Sequence, residues 1–475
     1  MVTFTALRRK PELVTPARPT PHEYKALSNI DDQRGLWYYP AGVEFFGACR
    51  RLTESAGDVD YDPVRIIRAA LAEALVSYYP LAGRLVELPQ VTGGKLLVDR
   101  TAEEVVFVEA DADVWLQELG QPLAMPYPCM EELLCYDIGE PQDAVVAKPL
   151  LFFQVTRFSG NDGFAIGYRY CHSIIDGFGM AKFLNSVYAL ARGEVHTELP
   201  VWGRELLIAR AAPHVTHKHS AYDQLPAASA AAEDVVKKTP LVHKVTRHFR
   251  FGPREMAAMR SQVPASLVQS TTVFELVTAA VWQCRTAALG YEPHQCVRLI
   301  ICSNARGTWK PRSPLPQGFY GNALVLRAAE ATDGELIGRP LGHAIGLLRE
   351  AKSEVTDDGY MQSMLDLLAR RGRPWYSQDW TYMISDATSL SRRVGAANVG
   401  RLERAGGGIT TAGRVVTTSL QSYYERCKSR GGEDCAVVSM CLPAEAMEGF
   451  SQRISAWGNM SRLTGSLYGS VPSAL

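Results

Sequence analysis

His172 and Asp176 stand four positions apart in Tyr168-Arg169-Tyr170-Cys171-His172-Ser173-Ile174-Ile175-Asp176-Gly177. The apolar run before them reads as a strand, and a helical pattern follows. Such a connection can present one imidazole to a cavity, and functional side chains often sit in connections of this kind. A histidine with an ordinary pKa near 6.5 is suited to general-base work at neutral pH. It can take a proton from a hydroxyl or amine that attacks an acyl donor. Asp176 would fix the local turn, and Gly177 would let the backbone come close. The pair alone is weak evidence, because this spacing arises by chance in many long chains. An alternative role for both residues is purely structural.

The elements that must position them can be read from periodicity. Leu151 to Arg157 and Phe164 to Tyr170 flank Ser159-Gly160-Asn161-Asp162-Gly163, the signature of a hairpin. Gly177 to Arg192 carries Phe178, Met180, Ala181, Phe183, Leu184, Val187 and Leu190, then Gly193. That pattern predicts a buried helix with a glycine stop. Upstream, Asp62-Pro63 predicts a helix start, with Val64, Ile67, Leu71, Ala74 and Leu75 on one face, ending at Tyr78-Tyr79-Pro80. Leu96 to Val98 and Val105 to Val108 read as strands. The proline-rich opening, with Pro11, Pro16, Pro19 and Pro21, reads as an extended arm. In the second half, Ser270-Thr271 is expected to cap a helix over Val273 to Ala288, stopped by Gly290. Strands are expected at Cys296 to Ser303, Ala323 to Leu326, Val415 to Tyr424 and Cys435 to Leu442, and a helix over Leu336 to Val355. Residues 1–200 and 240–475 form two halves, joined by a crossover at 201–239 that is poor in regular signals. Strands and helices in both halves make this an α/β protein with mixed sheets layered by helices.

The chain has 475 residues and a formal net charge of +0. Balanced charge argues against a general nucleic-acid or membrane-surface binder, though a local basic patch for an anionic ligand stays open. Hydrophobic residues make up 47%, enough for large cores. The ten cysteines are scattered without zinc-type spacing, so reduced thiols in a reducing compartment are expected. No secretory signal and no membrane-spanning run is read, so a cytoplasmic, monomeric protein is the expectation.

Other motifs carry less. Gly177-x-Gly179 lacks the third glycine of a dinucleotide fingerprint, since Lys182 stands there. Gly94-Lys95 is no phosphate loop, because Pro89 replaces the first glycine and Leu96 follows the lysine. No GxSxG elbow occurs. His214, His217 and His219 lack carboxylate or cysteine support and read as a solvated loop, so no metal is expected. Arg306, after a buried strand, is either a surface residue or the partner of a buried carboxylate such as Asp176.

Several segments together resemble the BAHD family of plant acyl-CoA-dependent acyltransferases. The HxxxD motif is His172 to Asp176, followed by Gly177. Tyr78-Tyr79-Pro80-Leu81-Ala82-Gly83-Arg84, Gln154-Val155-Thr156-Arg157-Phe158, Ser303-Asn304-Ala305-Arg306 and Phe319-Tyr320-Gly321-Asn322 fall in family order. The opening Pro11 to Pro21 and Asn29-Ile30-Asp31-Asp32-Gln33 are similar to the benzyl alcohol benzoyltransferase-like branch. The resemblance implies a two-domain, chloramphenicol-acetyltransferase-like fold with a channel between the halves. It implies no bound cofactor, acyl-CoA as co-substrate, and a small alcohol or amine as acceptor. His172 would be the base, Asp176 would pair with Arg306 to hold its loop, and Ser385 would lie near the oxyanion. The implied reaction is O-acylation with a benzoyl or acetyl donor. The alternatives are amine N-acylation, or a catalytically weak homologue that binds CoA or another ligand. The last is motivated by one departure. Where the family carries DFGWG, this chain has Ala396-Ala397-Asn398-Val399-Gly400, and only Gly400 survives. Asn398 and Gly400 are the residues of that loop assigned to the CoA side.

Overall fold

The computed structural model describes residues 2–48, 62–87, 94–99, 104–120, 123, 125–135, 145–194, 198–306, 314–353, 358–388, 394, 398–399, 402–410, 420–429, 431–457 and 462–463. Ala396, Ala397 and Gly400 lie outside them.

The first sheet is built from β1 (Ala6–Arg8), β2 (Glu12–Val14), β4 (Ala41–Ala48), β7 (Val105–Ala112), β8 (Leu151–Arg157), β9 (Gly163–Tyr170), β14 (Asn398–Val399) and β15 (Leu402–Thr410). Its order is β1-β7-β8-β9-β4-β15-β14, with β2 also on β7. The second sheet contains β10 (Lys244–Phe251), β11 (Cys296–Asn304), β12 (Leu324–Thr332), β13 (Thr381–Asp386), β16 (Gln421–Lys428), β17 (Asp434–Pro443) and β18 (Arg462–Leu463). Its order is β12-β11-β13-β16-β17-β10-β18. A small sheet joins β3 (Tyr24–Ala26), β6 (Leu96–Asp99) and β5 (Arg84–Glu87). Both large sheets mix parallel and antiparallel pairs: β7 runs parallel to β8, and β13 parallel to β11 and β16.

Helices cover these sheets because their apolar stripes have nowhere else to go. Helix α1 (Pro63–Ser77) buries Val64, Ile67, Leu71, Ala74 and Leu75, and the Asp62 carboxylate accepts the Val64 N–H at its start. Helix α2 (Gly177–Ala191) buries Phe183, Leu184 and Val187 in the same core. In the second half, α3 (Val273–Leu289), α4 (Leu341–Ser353) and α6 (Ala444–Ser455) pack over the sheet, while α5 (Asp358–Arg371) backs the core that holds Leu324 and Met383.

Several expectations are corrected. Thr272, not Ser270-Thr271, caps α3, its hydroxyl and Glu275 exchanging bonds with the backbone. The helix expected over 336–355 is two helices, Asp333–Gly338 and α4, because Pro340 has no N–H to continue the first. The strand expected at 323–326 runs on to Thr332, and the last hairpin begins at Gln421, with 411–419 outside the described residues. The opening arm supplies edge strands β1 to β3. Within the crossover, Arg204 is 1% exposed, and a buried His219 meets the Ser363 hydroxyl at 2.9 Å. Among the described residues, no group of three or more His, Cys, Asp or Glu could hold a metal. No described helix is long and apolar enough to cross a membrane.

The YYPLAGR stretch proves architectural. Tyr79–Ala82 is a tight turn, and a Cβ on Gly83 would lie 2.6 Å from the Asp99 carbonyl oxygen. Arg84 Nη1 then donates to the carbonyls of Gly83 and Glu104 at 2.8 and 3.0 Å.

Candidate active site

Strand β9 ends at Tyr170, and the chain turns at once. The N–H of Cys171 reaches the Leu150 carbonyl at 2.8 Å, and that of His172 reaches the Tyr38 carbonyl at 2.9 Å. The Ser173 hydroxyl donates to the Leu36 carbonyl at 3.1 Å. Three bonds to two separate segments therefore hold the turn that carries His172. Its ring stands 5.1 Å from the Tyr38 ring and 6.1 Å from the Tyr170 ring. The side chain is half-buried, and its Nδ1 edge is closed to solvent, which leaves Nε2 as the edge that can meet a ligand. Burial lowers the imidazole pKa, because a charged ring is costly there. Its own main chain, the Asp176 charge, Asn322 and the Asp31 charge oppose that effect without reversing it.

Asp176 starts α2. Its Oδ1 accepts the Gly179 N–H at 2.8 Å, an N-cap bond. Its Oδ2 accepts the Ala323 N–H at 3.1 Å and lies 2.6 Å from Arg306 Nη1. The Arg306 Nη2 donates to the Gly321 carbonyl, and its guanidinium lies 4.5 Å from the Phe178 ring centroid. Asp176 thus ties the start of α2 to the end of β11 and the start of β12, across the seam between the sheets. Gly177 lines the cavity wall. The close backbone approach falls two residues later, where a Cβ on Gly179 would sit 1.9 Å from the Tyr320 carbonyl oxygen.

His172 and Ser385 open on one cavity of about 900 Å³ of empty space, its mouth included. Ser385 lies on β13, and its hydroxyl accepts from Gln421 at 3.3 Å. Much of the remaining wall is aromatic: Tyr38, Tyr170, Tyr376 and Tyr423. Asp386 brings an exposed carboxylate to the same space. Asn398 does not line this cavity. It is exposed on β14, and its carbonyl accepts from Arg192 Nη1 at 3.1 Å.

Sequence reasoning missed the tyrosines. They come from four separate segments, and no local pattern marks a tyrosine as cavity wall rather than core. The Phe319 to Asn322 segment entered only through its place in family order. The structure gives it two contacts at the site: the Gly321 carbonyl takes Arg306, and Asn322 Nδ2 donates to the His172 carbonyl at 2.6 Å.

The arrangement sets the His172 imidazole and the Ser385 hydroxyl on the wall of one tyrosine-edged cavity. A model of the Transferase family matches residues 2–394. The chain is similar to Acyl transferase 1 of Oryza sativa subsp. japonica, at 48% identity over 96% of each chain. It is similar to benzyl alcohol O-benzoyltransferase of Nicotiana tabacum, at 41% identity over 95% of this chain and 94% of the relative. Spermidine hydroxycinnamoyltransferase 1 of Oryza sativa subsp. japonica matches at 40%, over 92% and 95%. Among solved structures, vinorine synthase shares the fold at a TM-score of 0.66 and 19% identity, covering 94% of this chain and 96% of that one. The chain belongs to this transferase family, the BAHD acyltransferases, on the benzyl alcohol benzoyltransferase-like branch, and is an enzyme that takes acyl-CoA as its co-substrate.

Proposed function

We propose that this enzyme transfers an acyl group, benzoyl or acetyl first, from CoA to the hydroxyl of a small alcohol, with His172 as general base. The observation that carries the reading is the shared cavity: His172 and Ser385 both open onto it, between walls of tyrosine and aliphatic side chains. Both substrates occupy the cavity together. His172 takes the acceptor proton, and the freed oxygen bonds to the thioester carbonyl carbon. The carbonyl electrons move to oxygen, beside the Ser385 hydroxyl. Collapse breaks the carbon–sulfur bond, and the CoA thiolate recovers the proton from the imidazolium. One donor at such an oxyanion is worth roughly 3 kcal/mol. Asp176 and Arg306 support the reaction by holding the loop, and Asn398 and Gly400 belong to the CoA side. The working protein is a cytosolic monomer that requires neither nucleic acid nor membrane.

Replacing His172 with alanine tests this. Ester formation from benzoyl-CoA or acetyl-CoA and a panel of alcohols, read by mass spectrometry, should fall by about two to four orders of magnitude. The melting curve should barely move. Undiminished turnover in that variant would remove His172 as the base.

An amine acceptor is the second reading, favoured by one feature of the cavity. The Asp386 carboxylate and the tyrosine faces suit an ammonium-bearing substrate, by charge and by cation–π attraction. The relative named for spermidine hydroxycinnamoyl transfer points the same way. Including amines in the panel separates the two. A ligand binder without turnover draws no support from a cavity that keeps both His172 and Ser385 on its wall.

A further inference from the structure

Beneath the His172 turn lies a buried polar network that the transfer steps leave unused. Asp31 is fully buried. Its Oδ2 accepts the Ser28 hydroxyl at 2.8 Å and lies 2.8 Å from Arg204 Nε. Its Oδ1 accepts from Asn322 twice, from the side-chain Nδ2 at 2.7 Å and the main-chain N–H at 3.1 Å. Asn322, also fully buried, spends its other Nδ2 bond on the His172 carbonyl at 2.6 Å. Arg204 Nη2 reaches the Ile174 carbonyl at 2.5 Å, two residues further along the same turn.

The surroundings are shaped to this arrangement. The Arg204 guanidinium lies 4.1 Å from the Trp202 ring and 4.9 Å from the Tyr320 ring. Gly321 leaves room for it, since a Cβ there would come within 2.3 Å of Arg204 Cζ. Burying an ion pair with so many bonds is costly unless its geometry is fully satisfied. Apart from the Ser28 bond, each bond named here ends on the His172–Ile174 turn or on Asn322 or Arg204, which grip it.

We propose that Asp31 is a positioning residue for His172, acting through Asn322 on the His172 carbonyl and through Arg204 on the Ile174 carbonyl. It fixes the turn through side chains that are not part of the cavity wall, while Asp176 and Arg306 fix its far end. This rests on the reading of His172 as the base. Asp31 also brings a negative charge toward the imidazole. The ionisable groups around that ring are Asp176 with its partner Arg306, Asp31 with Arg204, the phenols of Tyr38 and Tyr170, and, on the shared cavity wall, Asp386, Cys302, Tyr376 and Tyr423. Removing the Asp31 charge leaves Arg204 uncompensated. The imidazolium is then harder to form, and its pKa falls.

Two variants test the proposal. Asn322→Ala keeps the Asp31–Arg204 pair but frees the His172 carbonyl. Its kcat should fall about 10- to 100-fold, with KM for acyl-CoA and for the alcohol within about threefold of wild type. Asp31→Asn keeps the shape and removes the charge, and the acid limb of its kcat/KM profile should move to lower pH. A wild-type kcat in folded Asn322→Ala overturns the proposal, even where its melting temperature drops. So does a KM rise that accounts for the whole loss. Where Asp31→Asn does not fold, the Asn322→Ala kinetics decide; where it folds with an unmoved acid limb, the charge has no part. Undiminished activity in His172→Ala would instead sink the reading beneath, so the two failures are distinguishable.

Discussion

At the scale of single residues, the environment of His172 decides in which protonation state it works. Burial of its Nδ1 edge penalises the imidazolium more than Asp176, Asn322 and Asp31 favour it, so its pKa lies below the ordinary 6.5. A general base must be neutral before it can accept a proton. Below its pKa the ring is already charged, and above it the base is ready. The acid limb of kcat/KM against pH, which reports the free enzyme, should therefore have its midpoint below 6.5, and activity should be on its plateau at neutral pH. Initial rates with acyl-CoA held well below its KM, between about pH 4.5 and 8, measure this directly. A midpoint at or above 6.5 would mean that the ring is not desolvated as its surroundings indicate. The identities of His172 and Asp176 were legible in the sequence because the motif is local. The pairing of Asp176 with Arg306 entered through the resemblance, and the two meet at 2.6 Å; the depressed state of His172 was not legible, since Tyr38 and Asn322 reach its turn from distant segments of the chain.

At the scale of elements, the site is a junction between α2 and the β11–β12 edge. Its tightest point is Gly179, in the first turn of α2. Added there, a methyl group would meet the Tyr320 carbonyl oxygen at 1.9 Å and the Ile175 side chain at 2.8 Å. Backbone cannot rotate away as a flexible side chain can. Gly179→Ala should therefore push α2 away from the Tyr320–Ala323 segment and cost about 1–3 kcal/mol, as overpacking does. It should also loosen the Asp176–Arg306 contact and lower kcat. A melting curve and turnover both equal to wild type would show that the helix yields without strain. The α2 periodicity and the glycine stop were readable in advance, and Gly193 is indeed left-handed at φ +75°. The need for glycine at 179 was not, because it is set by a carbonyl more than 140 residues distant. Likewise Thr272 displaced the expected cap of α3 by one or two positions, since Ser270, Thr271 and Thr272 are all competent hydroxyls and only the helix geometry chooses among them.

At the scale of the molecule, the two large sheets are not divided by chain halves. Strand β15 lies in the chain between β13 and β16 of the second sheet yet pairs with β4 of the first, and β14 pairs with β15. A period-two pattern marks a strand but not its neighbour, so the sequence halves could not assign β15 to the first sheet. Its placement brings charge into the seam. Arg404 on β15 pairs with the buried Glu44 of β4, and Glu425 on β16 faces them from the second sheet. Room for Glu425 depends on Gly408, where a Cβ would lie 2.7 Å from its Oε2. Burial first, then the Glu44 charge, pushes the Glu425 carboxyl up to about 8 against the pull of Arg404. The folded state thus holds a proton that the unfolded chain releases at an ordinary 4.5. Below 4.5 both states carry it, and stability is unaffected. Between 4.5 and 8 only the folded state does, so each rise in pH costs stability, and above 8 the loss is complete. The sum is of order a few kcal/mol. Glu425→Gln keeps the shape and removes the titration, so its stability relative to wild type should rise from pH 5 to about 8 and level off above it. Denaturant midpoints of the two proteins across that range decide it. Parallel profiles would mean that Glu425 is already ionised in the folded protein, with the Arg404 guanidinium shared between two carboxylates.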